Sequence, residues 1–136
     1  MDTSTKTILL VEDEPDVMRI IAFHLSNVGY RVVQAMGAED AYRKLEKFKD
    51  RIDAIVTDLA MPRVSGVSLI DCVRRDPDYE NLPIIAVTAF TWDPLGRSAA
   101  DLGCDAFVNK PVDRAVLVKT VQDVIARRAA AASGSK

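Results

Sequence analysis

The chain is short of several features that define whole classes of protein. Only two of its 136 residues are cysteine. Cys72 and Cys104 are far apart and not in a CxxC pair, so both are expected to be small buried hydrophobes rather than parts of a disulfide scaffold. No long hydrophobic run exists. The longest uncharged stretch, Asn81 to Trp92, falls short of the roughly 18 residues that a membrane helix needs, and the start, MDTSTKT, is polar. A soluble, cytoplasmic protein without a membrane partner is expected. An excess of one charge is also lacking: 18 basic and 20 acidic residues, mixed along the chain, leave a net charge of −2. The basic footprint of a nucleic-acid binder is missing, and no nucleic-acid partner is expected. Neither internal repeats nor low-complexity segments interrupt the chain.

What remains is an ordinary globular composition, 49% hydrophobic and 28% charged. The length suits a single domain that buries about two-thirds of its unfolded surface without a structural metal. Short apolar, β-branched runs read as buried strands at Ile8–Val11, Ala54–Thr57 and Ile84–Val87. Arg31–Ala35 and Ala106–Val108 are less apolar and read as edge strands. Helical patterns alternate with them. Val17, Ile20, Ile21, Leu25 and Val28 form one apolar face, with His24 half-buried on it. Ala41, Leu45 and Phe48 form a second, and Leu69, Ile70 and Val73 a third. Leu95, Ala99 and Leu102 form a weaker fourth, and Leu117, Val121, Val124 and Ile125 a fifth. Pro15 opens the first helix and Gly29 follows it, Gly103 closes the fourth, and Pro111 precedes the fifth.

Five strand–helix repeats imply an α/β, doubly wound fold, a five-stranded parallel sheet with helices on both faces. The three most apolar strands belong in the centre, which gives the order 2-1-3-4-5 and a switch point between the first and third strands. Ligands of such sheets bind at the carboxyl ends of the strands beside that point. The folded domain is expected over residues 7–128. A flexible start at 1–6 precedes it, and 129–136 form a disordered tail or an expression remnant, although the alanines there could prolong the last helix.

The strand ends carry chemistry. Glu12 and Asp13 follow the first strand and Asp58 follows the third. Like charges ~4 Å apart repel by about 4 kcal/mol at an effective dielectric of 20, so an ionised cluster needs a cation. Hard oxygen ligands in a partly open site favour Mg²⁺. Thr88 offers a hydroxyl at the end of the fourth strand, and Lys110 a cation after the fifth. A carboxylate able to act as a covalent acceptor, a metal and a lysine together make a site for phosphoryl transfer.

The segments ILLVEDE, TDLAMPRVSG around Asp58, IIAVTAF ending near Thr88 and FVNKP around Lys110 occur in this order. With them the chain resembles a response-regulator receiver domain of two-component systems, from about Lys6 to Arg127. The resemblance implies a flavodoxin-like fold with five helices and a stand-alone receiver of the chemotaxis or cell-cycle relay type. It implies a signalling protein rather than an enzyme, one that catalyses its own phosphorylation and dephosphorylation. Asp58 would accept the phosphoryl group from a histidine kinase or a histidine phosphotransfer protein. Asp13 and Asp58 would ligate Mg²⁺ directly, Ala60 through its backbone carbonyl, and Glu12 mainly through water. Thr88 would hydrogen-bond the phosphoryl group, Lys110 would pair with it, and Phe107 would turn inward on activation. Lys110–Pro111 matches a peptide bond that is cis in the family. A downstream protein would bind the surface of the fourth helix, fifth strand and fifth helix, where Trp92 would suit partner contact.

Ala60 and Phe90 flank the route by which water would attack the phosphoryl group, and neither can orient a water, so a long-lived aspartyl phosphate is expected. Rival readings fit less well. A degenerate receiver serving as a fixed interaction module keeps the fold but not the chemistry. A metal-dependent phosphohydrolase places its acceptor after the first strand and adds a cap. A flavin-binding module needs a phosphate loop where Glu12 and Asp13 would repel the anion.

Overall fold

A computed structural model describes residues 5–59, 66–89 and 102–134. Its strands are β1 Thr7–Val11, β2 Arg31–Ala35, β3 Ala54–Asp58, β4 Ile84–Thr88 and β5 Ala106–Asn109. The helices are α1 Pro15–Asn27, α2 Ala38–Lys47, α3 Gly66–Arg75 and α4 Arg114–Gly134, with a short 3-10 turn at Pro77–Tyr79. The fourth helical segment expected from the sequence lies outside the described residues except for Leu102, which is helical and buried. Thus α4 is the fifth segment of the sequence. It runs past residue 128, so residues 129–134, expected as a tail, are helical; alanine is the best helix former.

All neighbouring strands pair in parallel in the order β2-β1-β3-β4-β5. The three central strands are buried along their whole length, whereas β2 and β5 are partly exposed. Apolar content ranks strands this way because a central parallel strand is covered by helices on both faces. Side chains alternate between two cores. Leu9, Val11, Ile55, Ile84 and Ala86 pack with Leu45, Leu69, Ile70 and Val73 of α2 and α3. Ile8, Leu10, Val56, Ile85 and Val87 pack with Ile21 and Leu25 of α1 and with Leu117, Val121 and Val124 of α4. Each fully buried aliphatic side chain contributes about 1.5–3 kcal/mol by leaving water.

One helical face differs in part from its sequence pattern. Helix α1 buries Met18, Ile21, Ala22 and Leu25, while Ile20 is 53% and Val28 38% exposed. With 3.6 residues per turn, the row 18-21-22-25 points into the sheet and Ile20 must point away. Helix boundaries follow their chemistry. Pro15 is the first helical residue of α1, and Gly29 beyond it takes φ 105°, which only glycine adopts freely. Asp113 caps α4, its Oδ1 accepting from the Ala115 N–H at 3.2 Å.

The amino-terminal ends of β4 and β5 are clamped by a charged network. Asp105 Oδ2 accepts from the Ile84 N–H at 2.9 Å and from Arg74 at 3.3 Å, while its Oδ1 accepts from Arg128 Nε at 2.9 Å. Arg74 also donates to the Gly103 carbonyl at 2.7 Å. Gly103 sits at φ 93° against that arginine, where an added Cβ would lie 3.1 Å from its Cγ. The network ties α3, β4, β5 and α4 together at the end of the sheet remote from Asp58.

Candidate functional site

Register brings the acidic residues together. Val11 pairs with Thr57, so Glu12 and Asp58 leave adjacent strands side by side. The Glu12 N–H donates to the Ala35 carbonyl at 3.0 Å, fixing the start of the loop on the sheet. Its carboxylate folds back so that Oε2 accepts from the Glu14 N–H at 3.1 Å. Glu12, Asp13 and Asp58 each place a carboxylate oxygen within 4.8 Å of the others. Glu12 is 1% and Asp58 4% exposed.

Lys110 closes this cluster from β5. Its backbone N–H donates to the Thr88 carbonyl at 2.8 Å, and the Lys110–Pro111 bond is cis. The ammonium donates to Asp58 Oδ2 at 3.1 Å and stands 3.2 Å from Glu12 Oε1. Thr88 is buried at the end of β4, one place beyond Val87, which pairs with Asp58. The Thr57 hydroxyl donates to the Asp58 carbonyl at 2.9 Å, steadying the strand end. Phe107 is half-buried against the core beneath α2 and α3. Ala60, Phe90 and Trp92 lie outside the described residues.

Electrostatics show an uncompensated site. Burial, reinforced by the Asp58 charge, pushes the Glu12 carboxyl above its ordinary range despite the Glu14 N–H and Lys110. Burial alone would lower Lys110, but the hydrogen bond and charge of Asp58, with Glu12 behind, raise it. Three ionised carboxylates against one ammonium leave a charge of −2, which one divalent cation would balance. Glu12 Oε1 is buried with no hydrogen-bond donor aligned on it among the described residues. A hard, all-oxygen donor set that keeps a net negative charge fits Mg²⁺.

A stability effect follows. A raised carboxyl favours folding in its protonated form; that contribution is complete below about pH 4.5, its ordinary value, and is lost as pH rises through the folded-state value. Ionised Glu12 therefore costs stability at neutral pH. Glu12→Gln is expected to raise the Tm in chelator at pH 7, with the gain over wild type shrinking on acidification. Adding Mg²⁺ should narrow the gap by stabilising the wild type more. Thermal scans at both pH values check this; a variant less stable than wild type in chelator would contradict it.

The sequence placed Glu12, Asp13, Asp58, Thr88 and Lys110 at one sheet edge, and the structure brings them to one edge. Two features escaped it. Cys104 is buried as expected, but Cys72 is exposed, because it lies on the outward side of α3 beside the buried Leu69–Ile70 and Val73 positions. Phe23 is 65% exposed on α1. An aromatic off the i, i+3, i+4 row was the available signal.

This parallel sheet, with an acidic triad at its switch point and a lysine reaching in from the last strand, has the architecture of a receiver-type signalling domain. The chain belongs to the response regulator receiver domain family, whose sequence profile matches residues 8–122. It is 36% identical over 115 residues to an uncharacterized 14.6 kDa protein of Leptolyngbya boryana, covering 85% of this chain and 86% of that one. It is 25% identical to the polar-differentiation response regulator DivK of Brucella ovis, covering 89% and 97%. Against the transcriptional regulatory protein GlrR of Escherichia coli (28% identical), it covers only 27% of the relative's length. The solved structure of the chemotaxis protein CheY4 of Vibrio cholerae superposes with TM-score 0.81 at 27% identity, covering 89% of this chain and 99% of that one. Among the described residues no helix is long and apolar enough to cross a membrane.

Proposed function

We propose that the chain takes a phosphoryl group onto Asp58 from the phosphohistidine of a histidine kinase or phosphotransfer protein, and that the added charge switches a partner-binding surface. One observation carries the reading: a buried carboxylate at the strand end, 3.1 Å from a lysine ammonium, inside a cluster that retains net negative charge. In the transfer, an Asp58 oxygen attacks phosphorus in line, the N–P bond of the donor breaks, and its electron pair stays on the imidazole nitrogen. The Lys110 ammonium turns from Asp58 Oδ2 to pair with the phosphoryl oxygens, and Thr88 hydrogen-bonds the group once it is attached. Mg²⁺, held by Glu12, Asp13, Asp58 and the Ala60 carbonyl, would neutralise charge on the transferring group.

The phosphoryl group adds a charge of about −1.5 to −2. Drawing Thr88 toward it and Phe107 inward would alter the surface made by the fourth helical segment, β5 and α4, where a downstream protein would dock. A cytoplasmic setting suits such a donor and target. Incubation with acetyl phosphate, with and without Mg²⁺, followed by intact-mass measurement, tests the reading. One Mg²⁺-dependent phosphoryl group supports it. No phosphate and no Mg²⁺ binding would make the domain a fixed interaction module.

Donor docking leaves its own mark. Helix α1 begins directly after the acidic loop and carries Ile20 and Phe23 outward, an apolar pair one turn apart. We expect Ile20→Ala with Phe23→Ala to slow transfer from a phosphorylated donor protein by about tenfold, as interface anchors do. Loading from acetyl phosphate should be unchanged. Equal slowing of both would place the pair in the fold rather than in docking.

A further inference from the structure

Between α2 and α3 lies an open cavity of about 340 Å³. Its floor is apolar, formed by the buried Leu45 and Val73. Two phenol rings wall it, and their hydroxyls are held by backbone carbonyls: Tyr42 donates to Ser68 at 3.5 Å and Tyr79 to Leu45 at 3.3 Å. The rim is acidic, with Glu46 and Asp76. Of the neighbouring cations, Lys49 pairs with Asp78 at 2.8 Å, feeling the Glu46 charge more weakly, and Arg75 pairs with Asp71 at 3.1 Å. The lining lies on α2, the carboxyl-terminal half of α3 and the turn before β4, away from the strand ends that carry Asp58.

We propose that this cavity is a second ligand site, one that takes a small organic cation: a protonated amine on an aromatic or branched apolar body. A volume of 340 Å³ falls at the lower end of the roughly 300–1,000 Å³ typical of small-molecule pockets. The apolar floor accepts the body. Aromatic walls and rim carboxylates both attract an ammonium group, whereas an anion would meet Glu46 and Asp76. Burial and the adjacent Cys72 thiol push the Tyr42 hydroxyl up to about 12, so the wall itself stays neutral and protonated.

Cys72 lines the cavity and is exposed, which makes its modification rate a gauge of occupancy. Cys104 is buried with its thiol pushed up to about 11 and reacts on a separate, slower time scale. The protein is treated with methyl methanethiosulfonate, a neutral reagent, in the presence of phenethylamine, 2-phenylethanol or phenylacetate. Phenethylamine should slow Cys72 modification saturably, the neutral alcohol should need about tenfold more, and phenylacetate should not protect. Glu46→Gln, an exposed substitution, should narrow the preference for the amine over the alcohol about threefold. Asp58→Asn should leave protection unchanged, which separates this site from the phosphoryl reading. Equal protection by all three compounds, or none by the amine up to its solubility, overturns the proposal. Protection by a basic amphipathic peptide but not by the amine also overturns it, assigning the groove to a protein.

Discussion

Asp58→Asn is expected to abolish phosphoryl incorporation from acetyl phosphate in Mg²⁺ while leaving a folded protein whose Tm in chelator is unchanged or raised. An amide oxygen is no nucleophile toward phosphorus, and its product would not be a stable acyl phosphate. The stability half follows from charge. Asp58 is one of three carboxylates with oxygens within 4.8 Å of one another. Such like charges repel by about 4 kcal/mol at ~4 Å and an effective dielectric of 20, before the Lys110 attraction is subtracted. Removing one relieves repulsion on Glu12 and leaves Lys110 paired with it at 3.2 Å. Intact mass and a thermal scan read both halves on one sample. A phosphoryl group persisting on the variant would move the acceptor elsewhere.

Lys110→Met should have the opposite effect on stability. The ammonium is the one cation within salt-bridge reach of Glu12 and Asp58 among the described residues. Without it the buried Glu12 and Asp58 carboxylates lose the positive charge that faces them. Breaking a buried ion pair costs up to 3–5 kcal/mol; because the lysine side chain keeps 19% of its surface in water, about 2–3 kcal/mol is expected here. Mg²⁺ should recover much of that loss. Phosphoryl transfer should slow by about 100-fold, the scale for removing one aimed charge from a transition state. Denaturant melts in chelator and in Mg²⁺, beside a time course of loading, check each part. Wild-type loading by this variant would remove Lys110 from the chemistry.

The opposite signs matter more than either value. A generic packing defect lowers stability in both variants, whereas a shared electrostatic site raises it in one and lowers it in the other. A loss of stability in both variants is incompatible with Asp58 and Lys110 facing each other across a cluster of excess negative charge.

By itself the sequence determined the sheet and its acidic edge. A central parallel strand is apolar on both faces, so Ile8–Val11, Ala54–Thr57 and Ile84–Val87 announce themselves as continuous runs, and the weaker apolar content of Arg31–Ala35 marks an edge. The order β2-β1-β3-β4-β5 follows, and with it the meeting of Glu12, Asp13, Asp58, Thr88 and Lys110, because each is the residue at or next to a strand end. Tertiary structure alone decided what depends on how helices seat. Periodicity shows that α1 has an apolar side, but Ile20 and Met18 are both apolar and only contact with the sheet selects Met18. Cys72 is apolar enough to be buried, yet its position on α3 turns it outward. The clamp of Arg74, Asp105 and Arg128, and the cavity between Tyr42 and Tyr79, join residues distant in the chain that no local pattern links. Strand period is a property of neighbours in sequence; a cluster or a cavity exists only once separate elements have packed.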